Sequence, residues 1–171
     1  MIVKNSTMPR SMNRIFKVIF IVSIALLGLG EVRVSIAGFI LPPHSCPSDY
    51  PPGVIHALLI GVGQYQKIRL TGPANDLALL SQTLVNKGVK PENIKILLDS
   101  QATVEGILNA LDDLYENIPC GDQVLIHFSG YSSENALLTF NARRESEREL
   151  DGTITGDILR EKIQKIVNLK K

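Results

Sequence analysis

Tryptophan is absent from this chain, and phenylalanine and tyrosine together supply only 5% of its 171 residues. The core must therefore be built from aliphatic side chains. A dominant charge is missing too, because 18 basic against 17 acidic residues leave +1. That balance excludes a nucleic-acid surface and an acidic tail, and Lys170-Lys171 is too short for a basic patch. The three histidines, His44, His56 and His127, have no metal-ligand spacing, so neither a metal nor another cofactor is expected. Gly61-Val62-Gly63 starts a dinucleotide-type loop, but Gln66 stands where its third glycine belongs. No apolar run at the amino end reaches the roughly 20 residues of a membrane-spanning helix. There are no internal repeats and no low-complexity segments.

What the amino end does contain has a direction. Arg10, Arg14 and Lys17 precede the apolar run Val18–Leu29, and Ser35-Ile36-Ala37 follows as a small-residue site. Basic region, short apolar region and S-x-A site together describe a secretory signal peptide over residues 1–37. The expected location is periplasmic or secreted, the alternative being a membrane anchor formed by an uncleaved 18–29. Loss of residues 1–37 removes more basic than acidic side chains, so the remainder is mildly acidic. An oxidising compartment permits a disulfide between the two cysteines, Cys46 and Cys120. A bridge needs their Cα atoms within about 7 Å, which spacing does not fix, and two unpaired small residues are the alternative.

Residues 38–53 hold Pro42, Pro43, Pro47, Pro51 and Pro52, a density that forbids helix and marks an extended linker. The domain proper is expected over 54–171. Val54–Val62 is a continuous apolar run, as in a strand buried on both faces. After a loop, Asn75 or Asp76 can cap a helix whose Leu77, Leu80 and Leu84 share one face and which Gly88 stops. Ile94–Leu98 is a second strand. Thr103 can cap a second helix with Val104, Ile107, Leu108 and Leu111 inward, ended by Pro119-Cys120-Gly121. Val124–Phe128 is a third buried strand, expected to break at Ser129-Gly130 into a turn with Tyr131 at its tip. Ala136–Phe140 is a fourth strand and Asn141–Leu150 a charged, solvated loop. Thr153-Ile154 forms a short bridge, and a last helix carries Ile158, Leu159, Ile163 and Ile166 on one side. Alternating strands and helices predict an α/β three-layer sandwich with a mostly parallel sheet. Chemistry in such a sheet sits beyond the carboxyl ends of the strands.

Four blocks then carry a resemblance: Ala57–Tyr65 (A-L-L-I-G-V-G-Q-Y), Leu70–Ala78 (L-T-G-P-A-N-D-L-A), Asp99 with Ala102-Thr103, and Gly121–Ser132 (G-D-Q-V-L-I-H-F-S-G-Y-S). In order and spacing they resemble caspase-like cysteine peptidases of the metacaspase and orthocaspase branch, over about residues 54–168. The resemblance implies the caspase/haemoglobinase fold, incomplete at the carboxyl end, and descent from cysteine-type endopeptidases. It also implies a departure. The family reads S-G-H-G where this chain has Ser129-Gly130-Tyr131-Ser132, and its histidine is the catalytic base. Its nucleophile lies in a D-x-C-x-S-G segment after the next strand, beyond the helix that ends here near Leu169, and no such segment is in this sequence.

A cysteine peptidase needs a thiolate, a base and oxyanion donors. A phenol titrates near pH 10, far from the neutral range in which a base works best. Cys120 precedes the key strand at its opposite end. His127 lies about 13 Å along the strand from Tyr131 at roughly 3.3 Å per residue, and reads as a core histidine. The expected function is therefore a pseudo-peptidase or interaction scaffold with no catalytic residue, taking a protein or peptide partner. The alternatives are an active endopeptidase completed by a separate chain, and a non-peptidase ligand-binding α/β domain. Without a following strand, Val124–Phe128 or its neighbour should be left as a bare edge, and the domain should dimerise, recruit a partner or aggregate.

Overall fold

The computed structural model describes residues 33–41, 53–119, 121–144 and 150–167. The elements run β1 (Arg33–Leu41), β2 (Ile55–Gly61), α1 (Gly72–Asn86), β3 (Ile94–Leu98), α2 (Val104–Asn117), β4 (Gln123–Ser132), β5 (Ala136–Arg144), β6 (Leu150–Thr155) and α3 (Gly156–Val167). The sheet is ordered β3-β2-β4-β5-β6, with β1 also on β4. It is a mixed sheet. The parallel ladder is confined to β3-β2-β4, while β1, β5 and β6 run antiparallel to their neighbours.

The aliphatic core expected from composition is there, in two parts. On one face Leu58, Ile60, Val124, Ile126 and Phe128 meet Ile107, Ala110 and Leu111 of α2 and Ile166 of α3. On the other, Ala57 and Leu59 meet Leu77 of α1, with Leu80, Leu84 and Leu125 packed around them. Strand alternation sends successive residues of β2 and β4 to opposite faces, so continuous apolar runs mean helices on both sides. Thr103 caps α2 as expected, its Oγ1 accepting from the Gly106 N–H at 3.0 Å. Loss of such a cap costs about 1 kcal/mol.

Several expectations need correction. The first helix starts at Gly72, ahead of Asn75 and Asp76, because Pro73 fits the first turn, where no amide donor is needed. β4 does not break at Ser129-Gly130. It stays extended to Ser132, since the Ser129 carbonyl accepts from Val62 N–H at 2.9 Å and Ser132 still pairs with its neighbours. The turn comes later, where Ser133 N–H reaches the Ala136 carbonyl at 2.8 Å. The charged segment expected as a loop from Asn141 begins as strand to Arg144, paired across β6 through Arg143 and Asp151. Ile158 is 41% exposed and does not share the buried side of α3.

The largest correction concerns the edge of β4. It is not bare, because β1 pairs with it from Arg33↔Ser132 to Leu41↔Val124. β1 also crosses the 37/38 boundary between the expected signal peptide and linker. Residues 18–29, Cys46 and Cys120 lie outside the described residues, and with them the anchor and the disulfide. No helix among the described residues is long and apolar enough to cross a membrane.

Candidate functional site

β2, β3 and β4 are parallel, so their carboxyl ends open on one side of the sheet. After β2 the chain folds back on itself: Leu70 N–H donates to the Gly63 carbonyl at 2.8 Å and Tyr65 N–H to that of Ile68 at 3.1 Å. After β3, Asp99 sits at φ +49, a left-handed backbone conformation that aspartate tolerates better than most side chains. Its Oδ1 accepts from Gly63 N–H at 2.7 Å and Gln64 N–H at 2.9 Å. Those are the amides a dinucleotide-type loop would offer to phosphate, and here the chain's own carboxylate takes them.

Tyr131 is half-buried on the last turn of pleat in β4. Its N–H donates to the Tyr65 hydroxyl at 2.7 Å, and the two rings lie 5.1 Å apart, tilted by 49°. The Tyr65 hydroxyl in turn donates to the Leu138 carbonyl at 3.0 Å. One side chain thereby ties the loop after β2 to the tips of β4 and β5. Burial drives the Tyr65 pKa far up; the Tyr131 amide opposes this, and nearby Tyr131 and Asp99 add to it. Tyr65 is thus a neutral strut and no base. The strut also explains Gly130, where a Cβ would lie 2.7 Å from the Tyr65 hydroxyl and 2.9 Å from the Phe128 ring.

On the α1 face, Ser129 Oγ donates to Asp76 Oδ2 at 2.7 Å. Strand alternation puts His127 on that same face. It is only 7% exposed, and its Nε2 has no hydrogen-bond partner among the described residues. Burial lowers its pKa below the ordinary 6.5, while the carboxylate of Asp76 acts weakly the other way. The sign of the pH effect follows. The unfolded chain binds this proton more readily than the folded one, so the stability linked to His127 is complete above about pH 6.5 and declines as pH falls through that value. Urea midpoints should drop from pH 7.5 to pH 5.5 more steeply in the parent chain than in His127→Gln. Equal slopes would mean that His127 is solvated.

His56 and Asp122 sit at the opposite, amino end of the sheet. They form a 2.6 Å pair, and Asp122 Oδ1 accepts from Val54 N–H at 2.9 Å. This is a clamp between the starts of β2 and β4, remote from Tyr131. No group of residues suited to a metal ion occurs among the described residues.

The four sequence blocks therefore converge: Asp99 holds Gly63 and Gln64, Asp76 holds Ser129, and Tyr65 holds Tyr131. Reading along the chain missed these ties. Their signal was the co-occurrence of the blocks, each of which supplies at least one partner. The arrangement places the chain in the class of caspase-like α/β domains. Comparison with known proteins then gives the family, since residues 56–171 match the model for the metacaspase, peptidase C14 domain, and the chain belongs to it. It is similar to Metacaspase-4 of Arabidopsis thaliana, 36% identical over 84 residues, which are 45% of this chain and 20% of that protein. Metacaspase-6 of the same plant is 37% identical over 84 residues, 45% of this chain and 23% of that protein. The chain thus matches about a fifth of the length of these relatives. No solved structure matches it.

Proposed function

We propose that this chain is a metacaspase-family domain that does not cleave peptide bonds by itself and serves as an exported scaffold binding a protein or peptide. What supports this most is Tyr131, which stands where the resemblance to the family expects its catalytic histidine and whose backbone amide is engaged by Tyr65. A phenol is a poor substitute for imidazole as a general base, so it withdraws no proton from a thiol. Export is supported by the basic residues before Val18–Leu29 and the Ser35-Ile36-Ala37 site.

The test is incubation of the purified chain, under reducing conditions, with peptides bearing arginine, lysine, aspartate or glutamate before the scissile bond. Turnover is expected to equal that of buffer, and to stay there in Tyr131→His, which restores the base but supplies no nucleophile. Thiol-dependent cleavage that disappears in Cys120→Ser would overturn the reading. Export is tested separately by the mass of the protein recovered outside the cytoplasm, expected to begin at Gly38; retention of residue 1 in the cytoplasm would refute it.

A further inference from the structure

β1 is held differently from the three strands of the parallel core. β2, β3 and β4 are linked through α1 and α2, whereas β1 joins β2 only through residues 42–54 and meets the sheet along β4 alone. Its register explains how so short a link suffices. Leu41 pairs with Val124 and Ile55 with Gln123, so the two ends of the link flank the start of β4 on either side. Strands two places apart lie roughly 10 Å from each other, a gap that a dozen extended residues cross with length to spare.

Ser132 pairs with both Arg33 and Leu137. Since one residue has two edges, β1 and β5 must lie on opposite sides of β4. The whole far edge of β4, from Val124 to Ser132, is therefore covered by β1 and by no other described strand. Under β1 lies a segment, V-L-I-H-F-S-G-Y-S, without proline, lysine, arginine or carboxylate. A long apolar edge lacking those features is a template for pairing with another chain.

We propose that Arg33–Leu41 is a displaceable strap, and that displacing it lets β4 pair edge to edge with β4 of a second copy of this chain. A second copy is the favoured occupant because the uncovered sequence is uncharged and can add antiparallel to itself, giving a closed two-fold pair. The register also says what scission after Ala37 would do. Arg33–Ala37 would leave Ser132–Phe128, while Gly38–Leu41 would stay on His127–Val124, opening the half of the edge that holds Tyr131. That last step rests on the export reading; the strap itself does not.

Two consecutive prolines, S35P/I36P, in the full chain test it, because alternate amides of a strand face its partner and one of the two must be lost. In the parent, β4 amides that do not face β2 should be slow to exchange with deuterium and light scattering should give a monomer. In the variant the mass should double at high concentration, and at dilutions that leave it monomeric those amides should exchange at least tenfold faster; added nonapeptide RVSIAGFIL should reverse both. Unchanged exchange and mass would overturn the strap. Faster exchange in a particle that stays monomeric at high concentration would overturn pairing with a second copy. Amides of Ile107–Leu111 in α2 report whether the rest of the domain remains folded; if they too are lost, the milder G38P is judged by the same readings. Because none of these involves proteolysis or transport, their failure leaves the proposed function standing, and the reverse holds.

Discussion

Leu58→Ala should lower the free energy of unfolding by about 2–5 kcal/mol, the range for emptying a fully buried leucine site. Leu58 has no exposed surface and lies on β2, between Lys95 of β3 and Ile126 of β4 in the register. A central strand cannot shift to fill the gap without breaking two ladders, which argues for the upper half of that range. Leu79→Ala on α1 makes the comparison, because that side chain is 72% exposed and surface changes of this kind stay within about 0.5 kcal/mol. Urea unfolding followed by circular dichroism measures both. Equal losses would mean that the sheet is not covered on the α2 and α3 face.

That contrast reflects what was legible in the sequence. Ile94–Leu98 and the Thr103 cap were readable residue by residue, because an aliphatic run and an N-cap are local signals. The α/β class and the caspase-like fold followed from strand–helix alternation and from the four blocks. What misled was Ser129-Gly130. Small residues after a strand usually mark a turn, yet here they are small for tertiary reasons: Ser129 reaches Asp76, and Gly130 makes room for the Tyr65 hydroxyl and the Phe128 ring. The Asn75-Asp76 pair misled in the same way, since its carboxylate serves β4 and not the helix start.

β1 was illegible for a different reason. Its residues carry a targeting pattern and adjoin a proline-rich stretch, both of which argue against strand, and only the unpaired edge of β4 supplies the partner. An open edge can be foreseen from sequence, but which segment closes it depends on register and reach. The site was half legible on the same grounds. Tyr131 was placed by the resemblance, whereas Tyr65, which fixes its amide, could be found only once β2 and β4 were side by side.

Asp99→Ala should cost about 2–4 kcal/mol, combining two hydrogen bonds to an ionised acceptor with a side chain poorly suited to positive φ. Gly63 and Gln64 would each lose their acceptor, and the loop carrying Tyr65 would loosen with them. Two further substitutions separate the causes. Asp99→Asn keeps an oxygen at the same reach and tolerates the left-handed backbone, so its loss should be about half as large. Asp99→Gly relieves the backbone at φ +49 but removes the acceptor, and should fall between asparagine and alanine. If glycine instead matched or exceeded the parent, backbone strain and not the carboxylate would govern this corner. Hydrogen exchange at Gly63 and Gln64 adds the local readout, because the amides should quicken in Ala and Gly and stay slow in Asn. The stability order and the exchange order must agree, since both report the one carboxylate that joins the loop after β2 to the end of β3.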